Sequence, residues 1–244
     1  MVQRTISLLL ALGFAYVFIQ AGQTIADKFL YIAGLIVATG ILNFFVHFKN
    51  FKRRSDAAFL LPPIFFIFAT ISVSAVLPGN LYKTATLALC SLLFFIIELR
   101  LKPRLSAALF YDNIFLLSAF GVFLGIWSAD FFVTPAWWIV VGTLFLISLL
   151  LLWYGFYPSP LSNYEKFVFC LVIAFALAQI GWALLLWPLH YFTMALVFTS
   201  FFFLGWELTR FHIRGSLTRQ KIIFHFSVVC ILLAVALYTA QWTP

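Results

Sequence analysis

The chain has 244 residues, 65% of them hydrophobic and only 9% charged, with a net charge of +8 and 32 phenylalanines. Its mean hydropathy of +1.10 exceeds what a soluble core of this length can hide. The apolar runs are also too long and too uniform for the alternating ten-residue strands of a membrane barrel. Composition therefore specifies an all-α polytopic integral membrane protein, a single transmembrane domain over 1–244 whose first partner is the lipid bilayer.

Windows of about nineteen residues mark nine transmembrane helices. The first, 5–21, follows Arg4 and has the apolar core of a secretory signal. The run is long enough to span, no A-x-A site follows it, and the chain passes directly into another span, so a retained helix is favoured over a cleaved signal. Span 29–48 leads into Lys49, Lys52, Arg53 and Arg54. Span 57–77 carries Pro62-Pro63, which either start its helix or leave carbonyls free. The turn at Pro78-Gly79 makes it the antiparallel neighbour of span 81–99, after which come Arg100, Lys102 and Arg104. Span 108–127 contains GVFLG, with Gly121 and Gly125 spaced for close helix packing. Spans 136–156, 167–187, 190–208 and 222–241 complete the chain, with Lys166 before the seventh, Pro188 between the seventh and eighth, and Arg210, Arg214, Arg219 and Lys221 before the ninth.

Thirteen of the fifteen basic residues fall on one side of this arrangement, and only Lys28 and Lys83 on the other. Because cytoplasmic loops retain positive charge during insertion, the N-terminus is placed in the cytoplasm and the C-terminus outside, in a plasma membrane. Trp127, Trp137, Trp138, Trp187 and Trp242 then mark the outer interface, while Trp182 and Trp206 lie deeper and pack between helices. Dispersed over several loops, the basic residues are topology signals and contacts for anionic lipids at the cytoplasmic face, not a nucleic-acid footprint.

An internal repeat organises the chain. Residues 81–99, LYKTATLALCSLLFFIIEL, match residues 190–208, HYFTMALVFTSFFFLGWEL, at seven of nineteen positions with a constant offset of 109. Extended outward, the repeat pairs helices 2–5 (half one, 28–132) with helices 6–9 (half two, 133–244), leaving residues 1–27 as an extra helix and outer loop. Four helices per half make the repeat parallel, and in such architectures a site commonly forms between the halves.

Each copy carries Thr, Ser and Glu seven residues apart: Thr84, Ser91 and Glu98 in one, Thr193, Ser200 and Glu207 in the other. Seven residues are almost two helical turns, so each trio forms a line along one face. Such a line must avoid lipid. In the packing reading the hydroxyls join helices, while Glu98 pairs with Arg100 or Arg104 and Glu207 with Arg210 or Arg214. In the functional reading the lines border a solvated path on which the glutamates bind a cation or proton. Asp112, one turn inside helix five, could join Glu98 as a carboxylate pair, although an Asp there more commonly caps its helix or pairs with an Arg. Gln179, near the middle of helix seven, calls for an interhelical hydrogen bond, with substrate contact as the minority reading.

Cys90, Cys170 and Cys230 stand at unrelated spacings within spans, and His47, His190, His212 and His225 supply no well-placed pair for haem. No metal-ligand set, cofactor fingerprint or catalytic group stands out, and the sequence leans away from an enzyme. Three function classes remain: a small transporter with a site between the halves, a non-catalytic membrane scaffold or partner subunit that binds another membrane protein or a second copy, and an intramembrane enzyme. The last would act on a lipid head group whose phosphate Arg100, Arg104, Arg210 or Arg214 holds.

Overall fold

A computed structural model of the chain describes residues 2–20, 34–42, 44, 61–76, 80–100, 108–156, 159 and 161–238. The elements are α1 (Val2–Gln20), α2 (34–42), α3 (Leu61–Val76), α4 (Asn80–Arg100), α5 (Ala108–Val133), α6 (Trp137–Gly155), α7 (Asn163–Leu185), α8 (Tyr191–Ile213) and α9 (Arg219–Tyr238). There is no strand among the described residues. Five helical segments are long and apolar enough to cross a membrane: Asp112–Phe131 within α5, and α6, α7, α8 and α9. Shorter apolar stretches occupy Thr5–Tyr16, Pro63–Val73 and Lys83–Ile97. Large apolar side chains face outward, including Leu146 at 57% exposure, Val172 at 63% and Ile231 at 62%. A soluble protein would bury such residues, whereas lipid solvates them, and this is a helical membrane protein.

Helix ends are set by local hydrogen bonding. Pro62 and Pro63 lie in the first described turn of α3, where a missing N–H is tolerated. Ser162 caps α7 through a reciprocal box: its Oγ accepts from Glu165 N at 3.3 Å, and Glu165 Oε2 accepts from Ser162 N at 2.9 Å. Lys166 consequently lies in the first turn of α7, buried, and not in the preceding loop. The C-terminus of α8 closes at Gly215, whose φ of +62° is readily available to glycine. Ser216 N donates to Phe211 O and Gly215 N to His212 O, a Schellman arrangement. Arg210 and His212 are thereby helical and Arg214 is the C-cap, although hydropathy alone ends the span at 208. Cations at a helix C-terminus complement the carbonyl dipoles, so extending the helix stabilises residues that the sequence reading left in a loop. Thr218 starts α9, its Oγ1 accepting from Lys221 N at 3.4 Å.

The chain forms two compact units, Met1–Gly121 and Val122–Pro244, whose boundary falls within α5. In the first, α4 packs along α1 and α3. Phe14 stacks on Phe94 with ring centroids 4.8 Å apart, and Phe66 lies within 6.5 Å of both rings. Leu10, Leu35, Ile67 and Ile97 complete this core. Gly121 is required by a close approach: a Cβ there would stand 2.5 Å from Ala69 Cβ and 2.9 Å from Ala69 Cα, so a larger side chain must displace backbone.

In the second unit α7 packs along α6 and α8, and α9 packs along α8. Phe123 meets Phe198 and Phe202 edge-on, at 4.7 and 5.4 Å between centroids. Trp127 lies edge-on to Phe198 and is fully buried, not at an interface. Trp182 is 51% exposed and does not pack between helices, whereas Trp206 is buried. Both tryptophan assignments drawn from depth alone fail for the same reason: depth along a helix does not tell which face a residue occupies. Gly181 sits where α6, α7 and α8 converge, with a Cβ position 2.7 Å from Leu144 Cδ1 and 3.3 Å from Phe198 Cε2.

Replacing Gly121 by Val should destabilise the protein by about 1–3 kcal/mol, because overpacking here meets backbone. Gly142→Ala, at a site with no atom within 4 Å, should leave stability unchanged or raise it. Thermal unfolding of both variants in detergent reads the difference; equal midpoints would show that the Gly121 approach is not a tight constraint.

Candidate functional site

The polar line on α8 is turned into the protein. Thr193 and Ser200 are buried on α8, and Glu207 follows on the same face with 14% of its side chain exposed. A hydroxyl in an apolar helix without water can be satisfied by the carbonyl four residues back. Ser200 Oγ donates to Leu196 O at 2.8 Å and Thr199 Oγ1 to Ala195 O at 2.6 Å. On α4 Ser91 Oγ likewise donates to Leu87 O, at 2.7 Å. The surroundings of the two lines differ. Ser91 is half-buried and Thr84 exposed, because α4 turns Phe94 and Ile97 into its core. The side chains of Glu98 and Arg100, and all of Arg104, lie outside the described residues.

At its C-terminal end the α8 line reaches a cluster of charges and rings. Glu207 Oε2 faces Arg210 Nη1 at 3.6 Å across one helical turn, with side-chain exposures of 14% and 16%. The Arg210 guanidinium lies over the Trp206 ring, 5.1 Å from its centroid. From α9, Lys221 Nζ donates to Ser216 O at 2.9 Å and lies over Phe211 at 4.5 Å. His225 is set among the rings of Phe203, Phe211 and Phe224, with centroids 5.3–6.0 Å away. Its Nδ1 lies 2.8 Å from Lys221 O. A carbonyl can only accept, so Nδ1 carries the proton and donates. Arg214 and Arg219 are exposed beside this cluster. Sequence reasoning anticipated charges here and weighed His225 only against haem; its ring cage, which depends on the α8–α9 register, went unread. A His four residues after Lys221 and one turn into a helix was the available signal.

Asp112 is half-buried near the start of α5. Gln179 is exposed on α7, and Lys166 is buried near the start of that helix, whose Phe169 ring meets His212 at the end of α8. A cavity of about 620 Å³ lined by Trp137, Trp182, Leu185 and Leu186 is apolar and contains none of the stripe residues. Cys170 is buried, Cys90 half-buried and Cys230 exposed. Among the described residues no three His, Cys, Asp or Glu side chains are grouped to hold a metal ion, and His47 lies outside them. Comparison with protein-family models, curated proteins and solved structures finds no match.

The geometry links Glu207 to Arg210 as a unit, which a double-mutant cycle can test. Glu207→Leu and Arg210→Met should each destabilise the protein in detergent. The double variant should be less destabilised than their sum by about 1 kcal/mol, the coupling typical of a partly buried contact. Strict additivity of the unfolding free energies would show that the two side chains do not interact.

Proposed function

We propose that this chain is a non-catalytic membrane scaffold or partner subunit, crossing the plasma membrane nine times with its N-terminus in the cytoplasm and its C-terminus outside. One observation carries this reading: on α8 the buried Ser200 hydroxyl is returned to its own helix and Glu207 is paired with Arg210. Thr199 likewise bonds to a carbonyl of that helix. A transport path needs hydroxyls and carboxylates that can exchange their partners for water or substrate. A packing seam needs them satisfied, as hydroxyls bonded back to their own helix are.

The charge distribution supports the proposed orientation, and the matching Ser91–Leu87 and Ser200–Leu196 bonds support descent of α4 and α8 from one duplicated segment. On this reading the exposed Arg214 and Arg219 contact anionic head groups at the cytoplasmic face, at about 1 kcal/mol each. A second reading, a small transporter, draws on the twin lines themselves, since paired polar positions in two parallel repeats suit a shared pathway.

Cysteine accessibility separates the two readings. In a chain lacking Cys90, Cys170 and Cys230, single cysteines at Ser91 and Ser200 should resist a charged, membrane-impermeant thiol reagent applied to both faces of the membrane. A cysteine at Arg214 should react as the accessible control. Modification at both serines would replace the scaffold reading with a water-filled route.

A further inference from the structure

One side of α7 is occupied by neighbouring helices, and the other faces lipid. At 100° per residue, Cys170, Ala174 and Gly181 fall on the inner side, where they are buried against α6 and α8. Val172, Phe175 and Trp182 fall on the outer side, at 63%, 60% and 51% exposure. Gln179 lies at the centre of that outer side, within about 60° of all three and about 160–180° from Cys170 and Gly181. It is exposed, and its carboxamide bonds to no described residue. The interhelical hydrogen bond that its depth demands is therefore not made to a neighbouring described helix.

Lipid cannot supply that bond. Gln179 is about 7 Å along the axis from the middle of Asn163–Leu185, well inside a hydrocarbon layer about 30 Å thick. Its two amide hydrogens and carbonyl oxygen have no acceptor or donor there. The side chain is also too short to reach the head-group region, about 8 Å further on.

We infer that the outer face of α7 is a dimer interface and that its occupant is the α7 of a second copy of this chain, joined through Gln179. A carboxamide is its own complement: across a two-fold axis each copy donates through Nε2 and accepts through Oε1. Copies inserted in the same orientation necessarily hold Gln179 at one depth, so an axis along the membrane normal brings the two amides together without adjustment. Ala176 and Ala183, three residues before and four after, present only methyl groups on the same face and let the backbones approach. Toward the C-terminal end of α7, the apolar cavity bounded by Trp137, Trp182 and Leu186 gives the partner's side chains a recess on this side of the helix. The inference rests on the membrane assignment and names the partner of the proposed subunit. It would hold equally for a transporter, so its failure and that of the scaffold reading are read from different positions.

The test uses the full chain in native membranes with Cys90, Cys170 and Cys230 replaced. A single cysteine at Gln179 should give a disulfide-linked dimer on copper-phenanthroline oxidation, whereas cysteines at the equally outward Leu146 of α6 and Ile231 of α9 should not. In the chain with its native cysteines, Gln179→Leu should weaken dimerisation about ten-fold in lipid vesicles, with folding checked by an unchanged thermal midpoint. Gln179→Asn, which keeps the amide, should retain most of it. Equal cross-linking at all three positions, a Gln179→Leu dimer as tight as the unsubstituted one, or a Gln179 cross-link only to a different protein would overturn the inference.

Discussion

Hydrocarbon offers no hydrogen bonds, and the structure is organised around that shortage. Backbone groups meet it by forming helices, the structures of the described residues. Side chains meet it by the shortest routes available: Ser91, Ser200, Thr199 and also Thr70 return their hydroxyls to the carbonyl four residues back. Charges meet it near helix ends, where Glu207 and Arg210 face each other and Arg210 covers Trp206. Gln179, exposed on the outer side of α7, meets it by none of these routes within the described residues.

Lipid is also as apolar as leucine, so burial alone cannot decide which helices meet. Shape has to. The two units solve this with aromatic geometry and missing side chains. Three phenylalanines from α1, α3 and α4 gather in the first unit, and Phe123, Trp127, Phe198 and Phe202 interlock edge-to-face in the second. Gly121 against Ala69 and Gly181 against Leu144 set how closely the backbones approach. Dispersion between such surfaces is large in sum and falls quickly with a small gap, which makes these few positions more specific than the many leucines around them.

Much of the helix pattern was legible in the sequence, because a span is announced by length and apolarity and both are read along one dimension. Sections expected at 136–156 and 190–208 correspond to α6 and α8, within a turn at each end except the C-terminus of α8. That end escaped because it is fixed by the backbone bonds around Gly215, to which hydropathy is blind. The azimuth of a residue is a second dimension that length and apolarity do not carry. Trp127 and Trp182 exchanged their expected roles for this reason, and Gln179 turned outward where an internal bond was expected. The polar lines show the same limit. Their seven-residue spacing placed each trio on one face, yet only the packing reveals that the α8 line points inward while Thr84 on α4 is exposed. His225 gained its ring cage from two helices whose relative register no motif records.

The turn between α8 and α9 is closed at both ends by bonds that lie within a few residues: Gly215 and Ser216 to α8, Thr218 to α9, and Lys221 back to Ser216. Nothing outside the pair is needed to form it. The last two helices can thus leave the ribosome and enter the bilayer as one pre-aligned hairpin, with their mutual sliding fixed by a single glycine. The basic side chains of the turn would resist crossing and hold it on the side from which the pair inserts. For this part of the chain, insertion and folding become the same event.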